Sequence, residues 1–236
     1  MIPLRDTNRL PVVPVAVYAI VAVNVAVFVH EIEIANSDAR EAFVNAYALI
    51  PFDLTHGVHI HNAAAPTAAT LITSQFLHGS VLHIAFNMLF LAVFGPDVEY
   101  VTGHLRFVAF YLACGVLGGL AQVSAGPGSH VASIGASGAI AGVLGAYIVR
   151  FPTSNVATLI PIGCFPLFLR LPAIVVIGLW ALVQFMHGFG SMSSRVLSEQ
   201  GGGIAYFAHI GGFLSGIFLI ELLGGSRRNR RAPVRR

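Results

Sequence analysis

The sequence predicts an all-α membrane protein, a bundle of six transmembrane helices, and three observations carry that expectation. Of 236 residues, 56% are hydrophobic and 10% charged, against about a quarter charged in an average soluble domain. Long apolar runs recur along the whole chain, separated only by short polar or Pro/Gly segments. The basic residues, all arginine, fall almost entirely on one side of the bundle that those runs define.

The expected spans are Val12 to Val29, Leu82 to Phe94, Leu105 to Val123, Ser133 to Ile148, Leu171 to Phe189 and Ile204 to Leu222. The first run exceeds a signal-peptide core and ends in His30-Glu31 without a small-x-small cleavage site, so it reads as an uncleaved span. A seventh apolar stretch, Ala157 to Leu169, is interrupted by Pro161 and Pro166 and reads as an interfacial loop. Six spans put Arg5, Arg9, Arg106, Arg150, Arg170 and the six arginines between Arg227 and Arg236 on one side, eleven of thirteen in all; Arg40 and Arg195 lie opposite. The arginine-rich side is then cytoplasmic.

The domain reading is a cytoplasmic segment at 1–11, a membrane domain at 12–222 and a basic cytoplasmic tail at 223–236, in the cell (plasma or inner) membrane with both termini inside. The tail follows an apolar span, so anionic lipid headgroups suit it better than nucleic acid. Cys114 and Cys164 have no CxxC spacing and imply no disulfide framework or metal knuckle. No cofactor is expected.

Polar groups inside a bilayer are costly, so those within the spans direct the search for function. His83 and Asn87 in the second span, Ser137 in the fourth and His209 in the sixth all enter from the outer face at similar shallow depth. His83 and Asn87, at i and i+4, share one helix face. Gly135-Ala136-Ser137-Gly138 sets a serine at a helix start, where free N–H groups suit an oxyanion. That serine needs a base, and His209 is the best-placed candidate. No carboxylate lies in the outer half of a span. Asp97 and Glu99 share the second helix, but Asp97 is ten residues past Asn87, about 15 Å along the axis, so a Ser-His dyad is expected rather than a triad.

Gly138 with Gly142, and Gly212 with Gly216, are small-xxx-small pairs. If the fourth and sixth spans pack through them, Ser137 and His209 come within hydrogen-bond reach; taken alone, the pairs favour generic packing. Ser133 and Ser215 are expected to bond their own helices, and His187 and Asn24 to have no matching partner. His56, His59 and His61 have a spacing that metals use, but no cysteine or carboxylate completes a set, so no metal site is assigned. His78 reads as either a loop cap or a site residue, and Trp180 as a packing or lipid-facing residue.

Five segments then resemble the rhomboid family of intramembrane serine proteases, in the bacterial six-span form: Phe76-Leu77-His78-Gly79-Ser80, His83-x-x-x-Asn87, Phe94-Gly95-Pro96-Asp97-Val98-Glu99, Gly135-Ala136-Ser137-Gly138 and Ala208-His209-Ile210-Gly211-Gly212. The resemblance implies that Ser137 is the nucleophile and His209 the general base. It further implies an oxyanion site formed by the Ser137 N–H with the His83 and Asn87 side chains, and substrates that are transmembrane proteins cut in or beside their spans. Two features depart from the family pattern. Its aromatic residue four positions after the nucleophile is Ala141 here, which leaves the orientation of His209 to another residue such as Tyr206 or Phe207. The Trp-Arg pair of the first loop is absent, so that loop's conformation does not carry over. Two rival readings are a non-catalytic relative that binds membrane clients in the same cavity and a small transporter using the polar residues as a pathway. Such relatives generally lack the serine or the histidine, and a pathway would need polar groups across the whole bilayer.

Overall fold

The structure, a computed structural model, describes residues 1–8, 10–58, 66–162, 165–193 and 205–224. A short strand β1 (Ile2–Asp6) precedes helix α1 (Val15–Glu33). The first loop holds α2 (Ser37–Tyr47), α3 (Pro51–His56) and α4 (Thr70–Thr73). Then follow α5 (Val81–Thr102), α6 (His104–Ala125), α7 (Ser137–Arg150), the hairpin β2 (Asn155–Ile162) and β3 (Phe165–Pro172), α8 (Ala173–Ser193) and α9 (Tyr206–Leu223). Helices α1, α5, α6 and α9 are long and apolar enough to cross a membrane, and α7 and the apolar part of α8 are shorter. Every expected span is therefore helical, in a polytopic helical bundle.

Several boundaries differ from the sequence reading for identifiable reasons. Helix α5 runs through Pro96 to Thr102, past the expected stop at Phe94; a bundled helix tolerates proline where neighbours compensate. Its start is capped by the Ser80 hydroxyl, which accepts the His83 N–H at 3.1 Å. Helix α7 begins at Ser137, not Ser133. Ser133 is drawn off by the first loop, exchanging both backbone hydrogen bonds with Leu49, so it does not bond its own helix as expected. The stretch 157–169 is a β-hairpin that also pairs with β1 in the order β1-β2-β3. Residues 2–6 are thus sheet edge rather than a free segment.

Helix α7 is the hub. Every residue from Gly138 to Tyr147 is buried, as befits a helix apolar on all sides. Leu91, Phe94 and Val98 of α5 and Phe107, Phe110 and Tyr111 of α6 belong to the same core. Helix α9 meets α7 glycine to glycine. A β-carbon on Gly212 would lie 2.0 Å from the Gly138 carbonyl oxygen, and one on Gly216 only 1.9 Å from that of Gly142. The same helix presses on α6, where a β-carbon on Gly118 would meet the Ala208 oxygen at 2.6 Å. Backbones this close exist only because these positions carry no side chain.

Buried carboxyl groups collect at the other end of the bundle. Glu99 accepts the Ala16 and Val17 N–H groups at 2.9 and 2.8 Å, capping α1, and its carboxylate also meets His104. Asn8 Nδ2 bridges Asp6 and Asp97 at 2.9 and 2.8 Å, while the Tyr147 hydroxyl donates to Asp6. Burial raises the Asp6 carboxyl above its ordinary range, against the hydrogen bonds from Tyr147 and Asn8. These acids tie β1 and α1 to the bundle.

The glycine contacts predict that Gly216→Ala, which must push α9 off α7, destabilises the protein by about 1–3 kcal/mol. Gly178→Ala, at a site with nothing within 4 Å, should leave stability unchanged or slightly raised. Thermal unfolding of the detergent-solubilised variants checks the contrast.

Candidate active site

The segment leading into α7 is held from both sides. Phe52 N–H donates to the Ser129 carbonyl at 2.9 Å and Gly135 N–H to that of Ser74 at 2.9 Å, so the first loop clamps residues 129–135. Gly135 has φ +117°, and a β-carbon there would lie 2.7 Å from His83 Nε2. Only glycine meets both conditions. This turn delivers Ser137 as the first residue of α7, where the leading N–H groups lack intrahelical partners.

Across the glycine seam, His209 stands in the first turn of α9. Its Nε2 lies 2.7 Å from Ser137 Oγ, and the residue is 9% exposed. Its Nδ1 lies 2.7 Å from Gln184 Oε1 on α8, and the Trp180 ring packs against it at 6.0 Å between centroids. Gln122 of α6 accepts the Ala208 N–H at 3.3 Å, holding the start of α9. On the other side of Gly135, the Asn87 side chain is buried and its Nδ2 has no partner among the described residues. A buried amide donor left free is costly unless something else engages it. The arrangement therefore offers a hydroxyl on an imidazole nitrogen, flanked by unused donors.

A rhomboid-domain family model matches residues 66–226. The chain belongs to the rhomboid family. It is 34% identical over 154 residues to the rhomboid protease GluP of Bacillus subtilis, covering 65% of this chain and 26% of that protein. It is 33% identical over 149 residues to the RHOMBOID-like protein 5 of Arabidopsis thaliana, covering 63% and 42%. To the mitochondrial presenilin-associated rhomboid-like protein of Rattus norvegicus it is 29% identical over 161 residues, covering 67% and 39%. The chain thus spans a quarter to about two fifths of these relatives.

The four intramembrane residues singled out in this rhomboid, His83, Asn87, Ser137 and His209, converge on one place. Ser137 is the first residue of its helix rather than four residues into a span, because Ser133 to Ala136 form the turn. The packing glycines Gly138, Gly142, Gly212 and Gly216 face one another in register. Tyr206, a candidate for orienting His209, instead stacks on His187 at 5.4 Å and 13°, which gives His187 the partner it was expected to lack. Asn24 donates to its own helix at Ile20, and Ser215 to Gly211. His56 stacks on Phe52, whereas His59 and His61, like Cys164 and Arg195, lie outside the described residues. No metal-binding group of three or more His, Cys, Asp or Glu occurs among the described residues.

The survey of polar residues in spans missed Gln184. The signal was available: Gln184 is a polar residue in the apolar run of α8, four positions after Trp180, so both project from one helix face. While the cap of α5 is Ser80, His78 ties the first loop to α1 and adjoins His83. Its N–H donates to both Glu31 oxygens at 3.3 Å, and its ring meets His83 edge-on at 5.1 Å. Burial, then the nearby His83, lowers the His78 imidazole to about 4, against the carbonyl of Phe76.

An imidazole lowered from about 6.5 binds its proton more readily in the unfolded chain, so His78 costs stability as pH falls through that interval. Between about pH 7 and pH 5 the loss is on the order of 2 kcal/mol. His78→Phe should show a smaller fall in melting temperature between those pH values than the parent; parallel falls would contradict the assignment.

Proposed function

We propose that this rhomboid is a serine endopeptidase that cleaves transmembrane segments of other membrane proteins, with Ser137 as nucleophile and His209 as general base. The observation that supports it is the 2.7 Å approach of Ser137 Oγ to His209 Nε2, made between two helices that only glycines allow so close. As Oγ attacks the scissile carbonyl carbon, Nε2 takes the hydroxyl proton. The carbonyl oxygen becomes an oxyanion and finds donors in the Ser137 N–H and the free Asn87 amide, with His83 beside them. Nε2–H then gives its proton to the leaving nitrogen, the C–N bond breaks, and an acyl ester remains on Ser137. Water, deprotonated by His209, hydrolyses that ester and restores the hydroxyl.

The depth of the site suits substrates that cross the bilayer. Helix α7 has 14 residues, so it rises about 21 Å and falls short of a hydrocarbon core about 30 Å thick. With its far end at the arginine-rich face, its Ser137 end lies below the opposite surface, where water and an unwound substrate segment both reach it. On this reading both termini face the cytoplasm and the membrane is the plasma or inner membrane.

Ser137→Ala and His209→Ala should each reduce cleavage of a single-span reporter by about 10³-fold or more. Asn87→Ala should lower turnover by about 10²-fold while leaving the fold intact. Capture of the reporter without cleavage, unchanged by the first two substitutions, would favour a client-binding protein and contradict the proposal.

A further inference from the structure

We infer that Gln184 is a positioning residue that sets the tautomer and orientation of His209, so that the site is a Ser-His pair held by Gln184 and built from three helices; this rests on the hydrolytic reading above. A neutral imidazole carries one N–H, and only the other nitrogen has a lone pair to accept the serine proton. The Gln184 side-chain oxygen sits 2.7 Å from Nδ1. With the amide oxygen turned to the ring, Nδ1 holds the hydrogen and Nε2 presents its lone pair to Ser137 Oγ, 2.7 Å away. In the opposite tautomer the amide would have to turn its NH2 toward Nδ1, and Ser137 would be left without a base.

The residue type follows from where the site lies. A carboxylate on Nδ1 would set the same tautomer, but burying its charge within the bilayer is expensive. A primary amide fixes the proton at no net charge. Trp180, one turn before Gln184, closes over the ring at 6.0 Å and over Phe213 at 6.2 Å. Together the two α8 side chains hold the imidazole that Ala141, with its single methyl, cannot reach. Among the described residues, the titratable group that acts on His209 through its charge is His83 on α5; Ser137 on α7 and Trp180 on α8 bring none.

The test uses the full-length protein in detergent and a single-span reporter, with kcat and KM measured between about pH 5 and pH 9. Gln184→Leu should lower kcat about tenfold or more with KM nearly unchanged. Gln184→Glu, which keeps an acceptor, should recover most of the rate at the alkaline end and move the acid limb to higher pH, because a carboxylate on Nδ1 favours the charged imidazole. An unaltered kcat in the leucine variant, or equal losses with parent-like pH profiles in both, would overturn the inference. Nitrogen NMR of His209 separates this from failure of the hydrolytic reading. Hydrogen on Nδ1 in the parent, lost from that position in Gln184→Leu, supports the positioning role even if no reporter is cut. Hydrogen on Nε2 in the parent overturns it.

Discussion

The close approach of α7 and α9 is the constraint on which the rest of the structure depends. Gly212 against the Gly138 carbonyl and Gly216 against that of Gly142 let two backbones meet without side chains between them. With the helix axes fixed at that distance, the first turns of both helices face each other, and residues 137 and 209 are the ones that meet. A side chain at Gly212 or Gly216 would move the serine and the imidazole apart by more than a hydrogen bond tolerates. The catalytic reading is therefore a consequence of packing before it is a matter of chemistry.

The two ends of the bundle use their buried polar groups differently. At one end Asp6, Asp97 and Glu99 are buried and engaged, by Asn8, Tyr147, the amides of α1 and His104. Those groups hold strand β1 and helix α1 against α5. At the other end Glu31 accepts the His78 N–H, while Ser137 and His209 meet no carboxylate among the described residues and Asn87 keeps a donor unspent. Satisfied carboxyl groups make an anchor, and an unsatisfied donor makes a place for a transient negative charge.

Much of this was legible in the sequence. Six spans, the converging polar residues and the glycine pairs follow from hydropathy, from the cost of polar groups in lipid and from helical spacing. What was not legible depends on contacts between segments far apart in the chain. Ser133 was assigned to a helix because its neighbours are apolar, yet Leu49, distant in sequence, pulls it into a bridge. The stretch 157–169 alternates too weakly to announce a hairpin, and its pairing with residues 2–6 has no local signature. Gln184 was passed over because a single amide in an apolar run has many bland explanations; only its distance from Nδ1 distinguishes it. Ala141 raised the right question, what holds the imidazole, but the answer came from α8 rather than from α9.

The claim at the centre is that Ser137 is an activated nucleophile and not a hydroxyl that happens to lie beside a histidine. A fluorophosphonate bonds covalently to activated serines, and peptide mapping by mass spectrometry locates the adduct. The account predicts one adduct, on Ser137, in the parent protein and none in His209→Ala. Adducts elsewhere with Ser137 unmodified, or an equally modified Ser137 when the imidazole is absent, would contradict it.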